Sequence, residues 1–393
     1  MRYLVAVDAF FPDQASGSAR VAFDVVRFMC DRGHQVTVFC RKQKPDAETI
    51  SQYEGIRVVR FAFPKTRPLD PFKVHKQKMA GVRTARKYLF DMKCDVIHIH
   101  LPLYGKIVYE VFGDGPRYVY TVHSPTVMEQ EINWAAQGLP GKIKLLLGKG
   151  TLRKLEGEIL GKVDSIHTLS MFTKEAIDNY YGVGDKVQVI PHWCREGFSR
   201  EYLKSEARAK LHWPNDARIL LSVRRLAPRM GLDIAIRAIA PSLKAQNNVY
   251  YVVVGAGSME QELKSLTKSL DVRDKIWFLG QIKDNILKRC YEGADLFILP
   301  TRALECFGLP VLEAFAYGLP IISTDAAAIP ELMEPILPGC IVPAGSIEHL
   351  RQKVQEYLEG ELSLPTSDEL ISYVRERYSP EIIIPRMARL LEA

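Results

Sequence analysis

The sequence predicts an α/β protein made of two doubly wound, parallel-sheet domains that face each other across a cleft. Three observations carry that expectation. Short apolar runs alternate with longer amphipathic stretches, the signature of strand–helix–strand units. The alternation restarts after residue 195. A chain of 393 residues also has room for two domains of about 100–200 residues each.

The elements follow in order. Residues 3–8 (Tyr-Leu-Val-Ala-Val-Asp) read as a buried strand. A helix follows at about 17–32, with Val21, Val25, Phe28 and Met29 at helical spacing. Arg32-Gly33-His34 stops it, and 35–40 is the next strand. Further strands read at 56–61, 95–100, 117–122, 164–169 and 187–190. In the second half, strands read at 218–223, 249–254, 276–279, 295–299 and 319–323, with helices between them. The expected domains are 1–195, 196–378, and a helix at 379–393 that packs back on the first domain. Ser379-Pro380-Glu381 is a helix start. Met387, Leu390 and Leu391 give that helix an apolar stripe, and Pro385 is expected to kink or shorten it.

Composition narrows the function classes. Hydrophobic residues are 47% and charged residues 25% of the chain, so each half can bury an ordinary core. Residues 1–195 hold 29 Lys+Arg against 20 Asp+Glu, leaving the rest slightly acidic. A basic N-terminal half suits an anionic partner. The seven cysteines include no CxxC pair, so they read as packing thiols in a reducing compartment. The N-terminus becomes charged too soon for a signal peptide, and no apolar run spans a bilayer. The expected compartment is the cytoplasm, with peripheral contact at the inner membrane face left open. The stretch 141–155, basic and leucine-rich, is the candidate for that contact with anionic membrane.

The chemistry concentrates at 295–331. A strand ends at Pro300, and Glu305-Cys306-Phe307-Gly308-Leu309-Pro310-Val311-Leu312-Glu313 follows. Gly308 and Pro310 mark a tight turn into a helix, whose first N–H groups suit a phosphate or sugar oxygens. A carboxylate accepts two hydroxyl hydrogen bonds, as a diol requires. Glu313 has apolar neighbours on both sides, so its helix is expected to be largely buried and its carboxylate to need a partner. A second cluster, Ser222-Val223-Arg224-Arg225-Leu226-Ala227-Pro228-Arg229-Met230-Gly231, follows another strand. Arginine is always charged and binds phosphate in a fork.

These residues resemble the retaining glycosyltransferases of family 4, with the GT-B fold of two Rossmann-like domains. That family carries E-x7-E around Phe-Gly-x-Pro after a strand ending in Pro. The resemblance implies that Glu305 contacts the donor sugar hydroxyls and Glu313 the ribose, with the amides of Phe307, Gly308 and Leu309 around the sugar and diphosphate. Arg225 matches the diphosphate arginine of the family's Gly-Arg-Leu. The family's following lysine aligns with Met230, and Arg229 is the candidate substitute. Gly255, in Val254-Gly255-Ala256-Gly257, matches a turn near the nucleotide, and Ile282 the segment meeting the base. In the first half, Gly17 and Ser18 match a glycine loop reaching donor phosphates and acceptor. His123, in Thr121-Val122-His123, matches a histidine at the sugar, and Ser170 a strand-end serine.

Several positions depart from the family pattern. A single Gly17-Ser18 replaces Gly-Gly, and Pro191-His192-Trp193-Cys194 replaces Pro-Asn-Gly-x-Asp. Ala326-Ala327-Ala328 stand where glycines are usual. His98 and His100 share a strand face and read as core or cleft-lining residues, with no third metal ligand evident. The resemblance implies transfer of a hexosyl group from a nucleotide diphosphate sugar, UDP-sugar favoured, to a saccharide or lipid-linked acceptor in polysaccharide or glycolipid synthesis. The catalytic candidates are His123, Arg225 and Glu305. No metal, no further cofactor and no nucleic-acid partner are expected. An epimerase or hydrolase of the same fold, and a non-catalytic sugar-binding protein, stand as alternatives.

Overall fold

The computed structural model describes all residues except 12, 14–16, 67–71, 136, 137, 196 and 198. The chain divides into two compact units. The N-terminal unit is Met1–Ile190 together with Ile384–Ala393, and the C-terminal unit is Pro191–Ile383.

The N-terminal unit runs β1 (Arg2–Ala6), α1 (Gly17–Asp31), β2 (Gln35–Arg41), β3 (Ile50–Tyr53), β4 (Ile56–Phe61), α2 (Lys73–Leu89), β5 (Val96–Ile99), α3 (Pro102–Phe112), β6 (Arg117–Val122), α4 (Thr126–Ala135), α5 (Leu139–Leu160), β7 (Ser165–Thr168), α6 (Met171–Tyr181) and β8 (Val187–Val189). Its sheet has the order β3-β4-β2-β1-β5-β6-β7-β8. Every pairing is parallel except β3 with β4. The central strands are apolar on both faces because helices cover both. Leu4, Ala6, Ile97, Ile99, Tyr118 and Tyr120 lie in one core with Ile107 and Ile159 of the covering helices.

The C-terminal unit runs α7 (Lys204–Leu211), β9 (Arg218–Val223), α8 (Leu232–Ala245), β10 (Val249–Val254), α9 (Glu260–Ser269), β11 (Ile276–Gly280), α10 (Asp284–Gly293), β12 (Leu296–Leu299), α11 (Leu309–Ala316), β13 (Ile321–Thr324), α12 (Ile329–Met333), β14 (Ile341–Val342), α13 (Ile347–Glu359) and α14 (Ser367–Tyr378). The chain then enters α15 (Pro380–Glu392). The sheet is wholly parallel, in the order β11-β10-β9-β12-β13-β14.

The strand order decides where a ligand can sit. From β9 the chain winds outward to β10 and β11, then crosses back to β12 on the other side of β9. The carboxyl ends of β9 and β12 therefore flank the topological switch point, where open α/β sheets leave a crevice. Arg224 and Arg225 follow β9, and the loop carrying Glu305 follows β12. In the N-terminal unit the same reversal falls between β1 and β5, beside the Gly17 loop and His100.

Pro385 does not end α15, which runs unbroken from Pro380 to Glu392. Residues 384–393 are tied to the N-terminal unit. Tyr3 Oη donates to the Leu391 carbonyl at 3.2 Å, Arg117 Nη1 to Leu390 at 2.8 Å, and Arg386 Nη2 to Val189 at 2.9 Å. Glu392 pairs with Arg32 at 2.7 Å and with His34 at 3.0 Å.

Candidate active site

Gly231 permits the close packing of the two loops at the switch point. A Cβ there would lie 1.8 Å from the Pro300 carbonyl oxygen, and its φ of +70° is left-handed. Arg302 N donates to the Arg229 carbonyl at 2.9 Å, and Arg229 Nη1 to the Leu304 carbonyl at 2.9 Å. Leu304 itself has φ +60°. Arg229 thus holds the backbone just ahead of Glu305. It does not stand as a loose cation.

Glu305 is the centre of the arrangement. Its carboxylate forms an ion pair with Arg224 at 2.7 Å, and its carbonyl accepts from Ala328 N at 2.9 Å. The alanine stretch therefore braces Glu305 through the backbone. Ala327 takes the left-handed φ of +58° that glycine would take more easily.

After Glu305 the chain buries Phe307, edge-on to Tyr378, and turns through Gly308 at φ +100° into α11. Among the described residues, the N–H groups of Phe307, Gly308 and Leu309 have no hydrogen-bond acceptor. They sit at a helix start, which carries a partial positive charge. Glu313 lies further along the same helix, where Tyr291 Oη donates to it at 2.9 Å. That is the partner its apolar surroundings call for. Burial, then Glu313, pushes the Tyr291 phenol well above its ordinary range and the Cys194 thiol up to about 12. Cys194 is thus inert, with its backbone N–H on the Tyr378 carbonyl at 2.7 Å.

Arg225 is exposed beside buried Arg224. Gly255 and Gly257 serve packing, since added Cβ atoms would lie 1.9 Å from the Arg224 carbonyl oxygen and 2.2 Å from that of Leu226. This G-x-G lets the β10 turn press against the arginine loop, and the Gly255 N–H is used by the Gly280 carbonyl at 2.9 Å. Ile282 follows Gly280 and is half-buried.

In the N-terminal unit, Gly17 and Ser18 are exposed at the start of α1. Residues 12 and 14–16 of that loop lie outside the described residues. Ser170 caps α6, accepting from Thr173 N at 3.2 Å. His123 Nε2 lies 2.9 Å from His100 Nδ1. Behind them runs a second chain whose direction can be assigned. The Ile190 carbonyl only accepts, so His167 Nε2 donates to it at 2.8 Å. With a neutral His167 ring, Thr121 Oγ1 donates to its Nδ1 at 2.8 Å and accepts from His98 Nε2 at 2.7 Å. His98 Nδ1 then carries a bare lone pair, and neither it nor His100 Nε2 has a hydrogen-bond partner among the described residues. Burial drives the His98 imidazole down to about 3 and that of His100 well below its ordinary range, with the neighbouring histidines adding to both shifts. These rings are neutral at pH 7. No group of three or more His, Cys, Asp or Glu suited to a metal occurs among the described residues.

Neither Arg224 nor Tyr291 stands out in the sequence as a site residue. Tyr291 precedes the motif by a whole strand and loop. Arg224 had a signal: it lies two residues from Ser222, whose Oγ donates to the Ile298 carbonyl at 2.5 Å, and so on the same inward side.

Two α/β units on largely parallel sheets, with a helix N-terminus flanked by Glu305 and Glu313 in the second, make up the GT-B fold. The sequence model described as glycosyl transferases group 1 matches residues 204–377, and that described as glycosyltransferase family 4 matches residues 15–194. The chain belongs to this family of glycosyltransferases and is a transferase enzyme.

Among curated relatives, the alpha-monoglucosyldiacylglycerol synthase of Streptococcus pneumoniae is 26% identical over 324 residues, 80% of this chain and 69% of that protein. The amylovoran biosynthesis glycosyltransferase AmsK of Erwinia amylovora is 32% identical over 205 residues, 50% of this chain and 49% of AmsK. A GDP-mannose-dependent monoacylated alpha-(1-6)-phosphatidylinositol monomannoside mannosyltransferase of Corynebacterium glutamicum is 25% identical over 67% of this chain and 68% of its own. The matches thus span about half to about two thirds of these relatives. In fold, the chain resembles sucrose-phosphate synthase from Thermosynechococcus elongatus (TM-score 0.83, 20% identity, 100% and 98% coverage). It also resembles Anabaena Alr3699/HepE in complex with UDP-glucose (TM-score 0.77, 18% identity, 100% and 99% coverage).

Proposed function

We propose that the chain transfers a hexosyl unit from a nucleotide diphosphate sugar, UDP-sugar first, to a saccharide or lipid-linked acceptor in glycolipid or polysaccharide synthesis. One observation carries the reading: three successive amides without acceptors open α11 between two glutamates, one ion-paired and one held by a tyrosine. Glu313 takes the ribose diol and Glu305 the hexose hydroxyls. The amides of Phe307, Gly308 and Leu309 and the side chain of Arg225 meet the diphosphate, whose negative charge grows as the glycosidic bond breaks. Residues 1–190 take the acceptor, with His123 as the imidazole that meets the transferred sugar. Retention of configuration follows the family resemblance.

Support for a lipid-linked acceptor comes from two sides. Two of the relatives above carry lipid names. Helix α5 also exposes Leu139, Ile143, Leu146 and Leu147 at helical spacing, among Lys142, Lys144, Lys149 and Arg153. An apolar stripe with a basic fringe suits the interface of an anionic membrane.

Calorimetric titration with UDP and GDP tests the donor reading. Glu313→Ala should weaken binding of the preferred diphosphate at least tenfold, and unchanged affinity would remove the ribose assignment. A screen of nucleotide sugars for transfer then names the donor.

A further inference from the structure

Arg224 is a buried guanidinium that the protein leaves incompletely bonded. The residue is 8% exposed. Its Nη2 alone makes the contacts: the ion pair to Glu305 at 2.7 Å, a hydrogen bond to Thr301 Oγ1 at 3.2 Å, and one to Met230 Sδ. Its Nε is buried without a partner, and Nη1 donates no hydrogen bond to a described residue. A buried cation with spare donors carries a desolvation cost that only an acceptor removes. Such orphans call for a functional explanation.

Its surroundings say which acceptor. Arg224 follows β9 and Glu305 follows β12, so the guanidinium lies at the switch point of the sheet. Glu305 leads within three residues to the open amides of α11. An unpaired carboxylate there would repel an anion seated on those amides; Arg224 offsets that charge. Of the neighbouring cations, Arg225 is exposed, Arg229 Nη1 is bonded to the Leu304 carbonyl and Arg302 is paired with Asp233. The Met230 contact adds to the case. Arg224 stands at the glycine of the motif and touches the methionine that stands at its lysine.

We propose that Arg224 binds an oxygen of the donor diphosphate through Nη1 and Nε while its Nη2 holds Glu305. This rests on the nucleotide-sugar reading above. It assigns to Arg224 the second cationic contact that Met230 lacks.

The test compares UDP with UMP by calorimetry, since only UDP carries the second phosphate. Arg224→Met should weaken UDP at least tenfold and UMP less than twofold. Arg224→Gly alone should behave likewise, and adding Met230→Lys should restore UDP to within about threefold of wild type. The proposal is overturned if Arg224→Met, still folded by circular dichroism, keeps its UDP affinity. It is equally overturned if UDP and UMP weaken together, since Arg224 would then only brace the loop. If Arg224→Met does not fold, the Arg224→Gly/Met230→Lys protein decides, and a UDP-to-UMP preference no better than that of Arg224→Gly rejects the proposal. A wild-type chain that binds neither UDP nor GDP refutes the donor reading itself, and this proposal with it, before any variant is made.

Discussion

His98 and His100 should make the N-terminal unit lose stability in mild acid. Both imidazoles are held neutral by burial, one down to about 3 and the other well below its ordinary range. In the unfolded chain each regains a value near 6.5. The folded value is the lower one, so the unfolded state binds more protons and stability falls as pH drops below about 6.5. Between pH 7.0 and 5.5 neither folded ring takes a proton. Each unfolded ring does, at a cost of about 1.3 kcal/mol per histidine and about 2.5 kcal/mol for the pair. Glu156 pulls the other way near its own lower range, because burial raises its carboxyl above the ordinary value despite donors from Tyr120, Thr126 and Tyr181. A variant separates the effects. His98→Gln keeps a donor for Thr121 where Nε2 stood but cannot titrate. Urea unfolding at the two pH values, read by hydrogen exchange at β5 and β6 amides, should show His98→Gln losing about half of the wild-type pH dependence. An unchanged dependence in His98→Gln, or none in wild type, refutes the neutral-histidine account.

Three further outcomes follow from the packing. Gly231→Ala should cost more than about 2 kcal/mol and weaken nucleotide binding, because its Cβ meets the Pro300 carbonyl and displaces the loop to Glu305; thermal unfolding and calorimetry check both. Arg208→Leu should destabilise the C-terminal unit by about 3–5 kcal/mol in urea titrations. Buried Arg208 bonds Asp295 at 2.6 Å and the carbonyls of Gly293 at 2.8 Å and Asn215 at 2.7 Å, and its loss leaves both carbonyls without that donor and Asp295 with Lys204 alone. Leu146→Glu with Leu147→Glu should abolish flotation with phosphatidylglycerol vesicles and leave melting temperature unchanged; flotation that persists refutes α5 as the membrane face.

Much of this architecture was legible because buried parallel strands are short apolar runs, and those at 35–40, 56–61, 218–223 and 249–254 could be read directly. β3 was not, since Ile50-Ser51-Gln52-Tyr53 is an edge strand with little apolar content. β14 has two residues. The E-x7-E segment was legible because turn, helix start and carboxylates lie in one stretch of chain. What it leans on was not. Glu313 is held by Tyr291 from another helix, Glu305 by Arg224 from another strand, and His98 by His167 through Thr121. The Thr121–His167 pairing comes from the register of β6 with β7. Adjacent arginines look alike in a sequence. Only the continued pairing of Arg224 N with the Val254 carbonyl turns Arg224 inward and leaves Arg225 outside.

Residues 384–393 set the order in which this protein can be built. They belong with Met1–Ile190, yet a ribosome makes them only after all of Pro191–Ile383. Tyr3, Arg32, His34 and Arg117 wait for Leu390, Leu391 and Glu392. The N-terminal unit therefore emerges first and finishes second. A nascent chain stalled before residue 384 should expose the buried seat of Met387, Leu390 and Leu391 to chaperones.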